Sequence, residues 1–171
     1  DPATFVQKKE YTVGIPRAFS VYTLWPFYSW LFHTLGIKVH LSEEILPEGV
    51  AKVESAYCFP AEIAHGAVQS IINSGDDFLF IPHFRDMPSY QNEVHANFCP
   101  ITQSLPYYIK KAFTDFPDNR VLSPIVSFKY GTDKALEGFL EMSDQLGVSK
   151  SEIEKAFKIA FKKQHDFFVR Y

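Results

Sequence analysis

The chain has 171 residues, with 17 Lys and Arg against 20 Asp and Glu, a formal net charge of −3 and a pI near 6.1. That balance, with no Lys/Arg cluster to offset it, argues against a nucleic-acid surface. No apolar run reaches membrane-spanning length, and the opening Asp1-Pro-Ala-Thr4 has no signal-peptide layout, so no membrane association is expected.

Two cysteines are too few for a secreted disulfide framework, and a reduced, cytoplasmic setting is expected. The 46% hydrophobic content suits a globular domain long enough to bury a proper core. Phe and Tyr are frequent, 17 and 9, which points to aromatic surface kept for a neighbour or a pocket.

Taken in order, Thr12-Val-Gly-Ile-Pro16 reads as a short buried strand. Ala18 to Leu35 is apolar almost throughout, with Pro26 either in its first turn or at a kink. Ile37-Lys-Val-His-Leu41 alternates like a second strand after a turn of about one residue, so a β-α-β unit with parallel strands is expected. Ser42 to Ser55, broken by Pro47 and Gly49, reads as a loop with a weak helix.

The central stretch is Glu54-Ser-Ala-Tyr-Cys-Phe-Pro-Ala-Glu-Ile-Ala-His-Gly66. Ile63, Ala64, Ala67, Val68, Ile71 and Ile72 recur at helical spacing, Pro60 suits a first turn, and Gly75 suits the residue after the last. Cys58 then stands just before a helix N-terminus, where free N–H groups and the helix dipole favour an anion such as a thiolate. The alternative is a small buried apolar residue. Glu62 complements the same helix start.

Asp77 to Pro82 predicts a third strand, and the aperiodic segment His83–Asn97 predicts a functional or mobile loop. Phe98-Cys-Pro-Ile-Thr102 reads as a short fourth strand followed by a helix over 104–113. Val121 to Phe128 is a fifth strand weakened by Pro124. Thr132 suits a helix cap, Gly147 a stop, and Ser149-Lys-Ser-Glu152 a capping box that opens a last helix. The exposed end Phe167-Phe-Val169 suggests continuation in a longer chain or a partner.

Alternating strands and helices predict an α/β, three-layer sandwich around a mainly parallel, four- to five-stranded sheet with C-terminal helices. The expected division is an α/β domain over 1–130 with a helical pair over 131–171 packed on it. Ligands of such sheets bind beyond the carboxyl ends of the strands. Pro16-Arg17, Pro82-His83, Cys99-Pro100 and Cys58 are all expected at that edge.

Three chemistries fit these residues. Cys58, Cys99 and His83 form a candidate metal or cluster set, since thiolates and imidazole suit zinc and iron–sulfur centres, although no CxxC knuckle is present. Cys58 with His65 is a poorer nucleophile pair: His65 lies about two turns along the helix, and with Gly66 it reads better as close helix packing. Arg17 can meet a phosphate or carboxylate, or can be a plain surface cation. No GxGxxG or GxxxxGK[ST] occurs, so the chain is no ATPase by itself.

Gly14-Ile-Pro-Arg-Ala18, Cys58-Phe-Pro-Ala-Glu-Ile-Ala-His-Gly66, Asp77-Phe-Leu-Phe-Ile-Pro82 and Asn97-Phe-Cys-Pro-Ile-Thr102 together resemble the DUF2229 domain of CoA-substrate-specific enzyme activases. These proteins are similar to activators of 2-hydroxyacyl-CoA dehydratases and related to dehydratase subunits and double-cubane cluster proteins. The resemblance covers about residues 12 to 113. It implies a Rossmann-like fold, a [4Fe–4S] or double-cubane cluster held through Cys58 and Cys99, and low-potential electron transfer coupled to ATP hydrolysis. The partners it implies are ATPase modules of the same polypeptide, a dehydratase or other electron-acceptor subunit, and an acyl-CoA. Relatives carry a further cysteine directly after the proline of the third strand, where this chain has His83. The resemblance therefore leaves a cluster-bearing domain, a scaffold without a cluster, and a small structural zinc site as the readings to separate.

Overall fold

The computed structural model describes residues 6–54, 58–87 and 96–170. Strand β1 (Thr12–Ile15) leads into helix α1 (Val21–Thr34). Gly36, at φ +71°, turns the chain within two residues into β2 (Lys38–Leu41), a left-handed conformation that favours glycine. The two strands run parallel, from Thr12 opposite Lys38 to Ile15 opposite Leu41. A short α2 (Pro47–Val50) precedes α3 (Phe59–Ser74), which ends on Gly75 at φ +76°.

Strands β3 (Phe78–Phe80) and β4 (His83–Phe84) follow, then α4 (Pro100–Ala112), β5 (Val121–Leu122) and β6 (Ile125–Val126). The chain finishes in α5 (Thr132–Leu140), α6 (Ser143–Leu146) and α7 (Lys150–Arg170). The sheet has the order β2-β1-β3-β5, all parallel, and β4 pairs with β6 beyond it. This is a Rossmann-like three-layer α/β sandwich.

Why helices cover both faces follows from the strand order. The β1-to-β2 connection moves outward one way and those to β3 and β5 move the other. Right-handed crossovers then place α1 on one face and α3 and α4 on the opposite one. Side chains alternate to match. Val13, Ile15, Phe80 and Leu122 join the cluster of α1, α5 and α7, while Leu79, Ile81 and Val121 join that of α3 and α4. Of the expected α3 stripe, Ala64, Ala67, Val68 and Ile71 are buried, with Ile63 and Ile72 at its margin.

Two close contacts set the helix layers. Glycines let α2 and α3 touch: a Cβ at Gly66 would come within 2.6 Å of Ile45 Cγ2, and one at Gly49 within 2.5 Å of the His65 carbonyl. The expectation of close helix packing at His65-Gly66 is met. The second contact joins α1 to α7. Pro26 lies inside α1, where its ring pushes the preceding carbonyls aside and weakens the helix ladder. The buried side chain of Gln164 enters there: its Oε1 accepts from Phe27 N–H at 3.1 Å and its Nε2 donates to the Thr23 carbonyl at 3.1 Å.

Two expectations are corrected. Residues 98–102 are not a strand. Pro100 occupies the first turn of α4, where its missing N–H goes unneeded, and the Phe98 N–H instead closes the neck of the preceding loop on the Arg85 carbonyl at 2.9 Å. Thr132 is the first residue of α5 and Gly131 its cap. The capping box at α7 forms as expected, with Glu152 N donating to Ser149 Oγ and the Glu152 carboxylate accepting from Ser149 N–H. Residues 55–57 of the central stretch and 88–95 of the long loop lie outside the described residues.

The Gln164 contact yields a prediction. Gln164→Leu removes the partners of one buried N–H and one carbonyl, and should lower stability by about 1–3 kcal/mol in urea unfolding. In that background Pro26→Ala should recover part of the loss, because α1 can then close the bond between Phe27 and Thr23 itself. Strictly additive effects of the two substitutions would show that the amide does not serve the kink.

Candidate functional site

Helices α3 and α4 each run into a parallel strand from its amino end, so both start at the carboxyl edge of the sheet and on the same face. Cys58 is the N-cap of α3, extended at φ −153° and ψ 107°, with its carbonyl accepting from Ala61 N–H at 2.9 Å. Cys99 is the N-cap of α4, with its carbonyl accepting from Gln103 N–H at 3.1 Å. Neither thiol caps its helix, both are free, and Cys58 is half-buried while Cys99 is exposed. Cys99 thus reaches the edge as a helix start rather than as the strand end expected.

Arg17 follows β1 at the same edge. Its N–H donates to the buried Ser42 Oγ at 2.8 Å, and its carbonyl accepts from Tyr22 O–H at 3.2 Å. Its guanidinium is exposed and has no ion pair among the described residues. Two residues on, Phe19 adopts φ +47°, a left-handed conformation that costs a residue with a Cβ of order 1–3 kcal/mol. Packing of its ring on the α3–α4 cluster offsets that cost.

His83 is held quite differently. Its Nδ1 lies 2.9 Å from the Gln103 carbonyl, its ring centroid is 4.6 Å from that of Tyr107, and it is 7% exposed. A carbonyl only accepts, so Nδ1 carries the proton and Nε2 keeps the lone pair. Burial is the chief cause that holds His83 below the ordinary histidine value; the Lys110 charge adds to it, while the bond to Gln103 opposes it.

Among the described residues, no three His, Cys, Asp or Glu side chains are gathered closely enough to share a metal ion. A cubane takes four protein ligands in its usual form. The described residues do not assemble the whole coordination of a cluster.

Sequence reasoning missed Asp86. Its Oδ1 accepts from the N–H groups of Phe128 and Lys129 at 2.6 and 2.7 Å, and its Oδ2 accepts from Ser127 Oγ at 2.6 Å. This buried carboxylate pins the segment after β6 to the loop after β4; no local pattern could have paired positions over 40 apart. His40 lies 2.7 Å from the buried Asp76. His95 lies outside the described residues.

The family model of the CoA enzyme activase uncharacterised domain (DUF2229) matches residues 12–170. The match extends beyond the motifs that end near residue 113, so the C-terminal helices belong to the family's domain. No curated protein and no solved structure matches the chain significantly. The chain belongs to the DUF2229 family of CoA enzyme activase domains. No helix among the described residues is long and apolar enough to cross a membrane.

The two buried histidines set a pH dependence. Burial lowers the folded-state pKa of both His65 and His83, so below about pH 6.5 the unfolded chain takes up protons that the folded chain does not. Stability should be full at neutral pH and fall as pH drops through the unfolded value toward the lowered folded ones. Urea midpoints measured from about pH 7.5 to about pH 5.5 should show this slope, and His83→Gln should make it shallower.

Proposed function

We propose that this chain is a domain of a 2-hydroxyacyl-CoA dehydratase activator, a CoA enzyme activase, that contributes Cys58 and Cys99 as ligands to an iron–sulfur cluster and is not catalytic alone. The cluster would be a [4Fe–4S] or double-cubane centre, and would supply low-potential electron transfer coupled to ATP hydrolysis. ATPase modules of the same polypeptide, a dehydratase or electron-acceptor subunit, and an acyl-CoA are the partners of this reading. A cytoplasmic location goes with it.

The observation that carries it is that both cysteines cap neighbouring helices on one face and at one edge, with backbone groups engaged and thiols free. Helix starts suit anionic ligands, and thiolates suit iron. His83 is the candidate third donor, since its tautomer leaves Nε2 a lone pair. Arg17 offers an unpaired cation to a phosphate or carboxylate.

A second reading, a docking module without a cluster, is favoured by a separate observation: no three-ligand group is assembled among the described residues. Anaerobic incubation with ferrous iron and sulfide separates the two. A brown protein with bound iron, bleached in Cys58→Ser or Cys99→Ser, is the expected result. A folded, colourless and iron-free protein would overturn the cluster in favour of docking. Zinc bound without sulfide, and lost in the same variants, would assign a structural zinc site instead.

A further inference from the structure

An open groove lies at the outer edge of the sheet, where β2 has no further strand, between the segment that follows β2 and the second half of α3. The carboxylates of Glu43, Glu44 and Glu48 line it, and no Lys or Arg does. None of the three has an ion pair among the described residues. Exposed acids alone are an ordinary solvated surface. Two uncharged groups inside the groove make this one different.

The first is Ser70, which lines the groove and is 9% exposed. A helical serine can close on the carbonyl four residues back, as Ser74 does on the Ser70 carbonyl at 2.9 Å. For Ser70 that carbonyl belongs to Gly66. It already accepts from Leu46 N–H at 3.2 Å besides the Ser70 N–H of the helix ladder, so both of its lone pairs are in use. Among the described residues every fully sealed side-chain nitrogen or oxygen has a partner. Ser70 Oγ has none there, so it opens on the groove.

The second is His40 of β2. It pairs in register with Gly14, whose missing side chain makes room for Asp76: a Cβ there would come 3.1 Å from Asp76 Oδ2. The His40 Nδ1 lies 2.7 Å from that same oxygen. A carboxylate only accepts, so Nδ1 carries the proton and the neutral ring keeps a lone pair on Nε2. This end of the ring has no hydrogen-bond partner among the described residues, and the side chain is 30% exposed, toward the groove.

The groove thus offers two unused acceptors, three unpaired carboxylates and the apolar side chain of Leu46. No three His, Cys, Asp or Glu side chains among the described residues are gathered closely enough for a metal ion. An ammonium is the cation that fits, since it has three donors and no acceptor. We infer that this groove binds a free primary alkylammonium ion, which donates to Ser70 Oγ and His40 Nε2, lays its methylenes on Leu46 and is held in the field of the three glutamates. The site goes beyond the cluster reading and is separate from it: Ser70 lies about 18 Å along α3 from Cys58, and neither cysteine takes part.

NMR of the whole chain, labelled with ¹⁵N and ¹³C so that Ser70 and the His40 ring are assigned directly, tests it at about pH 8, where alkylamines keep their proton. Butylammonium should shift both sets of signals saturably. Tetramethylammonium, of equal charge but with no N–H, should bind about tenfold more weakly, and butylammonium should bind Ser70→Ala more weakly by a similar factor. Alanine is the better helix former and the lost hydroxyl has no internal partner, so that variant should keep or raise the urea midpoint. Glu43→Gln with Glu44→Gln should weaken binding and flatten its salt dependence. Unmoved Ser70 and His40 signals at high millimolar butylammonium would overturn the proposal, as would equal binding of tetramethylammonium or a lowered midpoint in Ser70→Ala. Magnesium displacing butylammonium at lower concentration would make this a metal site instead. Tighter binding of Nα-acetyl-lysine methylamide would assign the groove to the lysine of a protein partner and overturn the free ligand.

Discussion

The structure depends on one parallel ladder. Its partners are always 42 positions apart: Leu79 with Val121, Phe80 with Leu122, His83 with Ile125 and Phe84 with Val126. The N–H groups of Ile81, His83 and Arg85 reach the carbonyls of Leu122, Pro124 and Val126, each at 2.9 Å. β3–β5 and β4–β6 are therefore one pair of strands in a single register. In a parallel pairing the N–H of residue 124 would return to the Ile81 carbonyl; proline has none, and the ladder is interrupted there. Pro82 sits at the same register point but points the opposite way, toward β1, which has already ended. The unbroken register carries His83 and Phe84 past the main sheet, so that His83 meets α4 and Phe84 meets the α1 layer.

The other layer is fixed by a repair. A proline inside α1 weakens the ladder of the helix that contributes most to the larger cluster, and Gln164 of α7 supplies both missing partners at about the length of ordinary hydrogen bonds. The stripe of α7 runs Ile153, Ala156, Phe157, Ala160 and then Gln164, a polar residue on an apolar face. Buried polar groups of this kind stabilise little in net terms but penalise any other arrangement. This one fixes how α7 lies along α1, and with it the Phe157–Phe161–Phe128–Phe84 aromatic run that joins α7 to the projecting strands. Asp86 adds the matching tie from the loop after β4.

Much of this frame was legible because its signals are local. Gly36, Gly75 and Gly147 mark turns that need positive φ, the capping box marks the start of α7, and the apolar runs at 12–16, 37–41 and 77–82 mark strands. Residues 98–102 misled because Phe98-Cys99-Pro100-Ile101 has strand composition, while its first-turn proline decides for a helix. What composition could not reveal are the long-range ties. Gln164 on an apolar stripe and Pro26 inside a helix were each visible oddities, yet only the fold shows that one answers the other. At the candidate site the sequence pointed to Cys58, Cys99, Arg17 and His83 at one edge of the sheet; the tie of His83 to Gln103 and Tyr107 needed the packing of α4 against β4.

The edge separates two kinds of residue. Cys58, Cys99 and Arg17 have their backbone groups committed: the two cysteine carbonyls accept from the first turns of α3 and α4, and the Arg17 amide and carbonyl are held by Ser42 and Tyr22. Neither cysteine is in a disulfide, and the Arg17 guanidinium has no ion pair among the described residues. His83 is the reverse, its imidazole tied through Nδ1 and covered by an aromatic ring. A group whose backbone is fixed and whose reactive end is free loses little conformational entropy when it takes a ligand. The same reasoning applies to Phe19: its left-handed backbone is tolerated because its ring is anchored, and the anchored turn sets the direction from which Arg17 leaves β1. At this edge, then, Cys58, Cys99 and Arg17 are fixed through their backbones, and the histidine is fixed through its ring against α4.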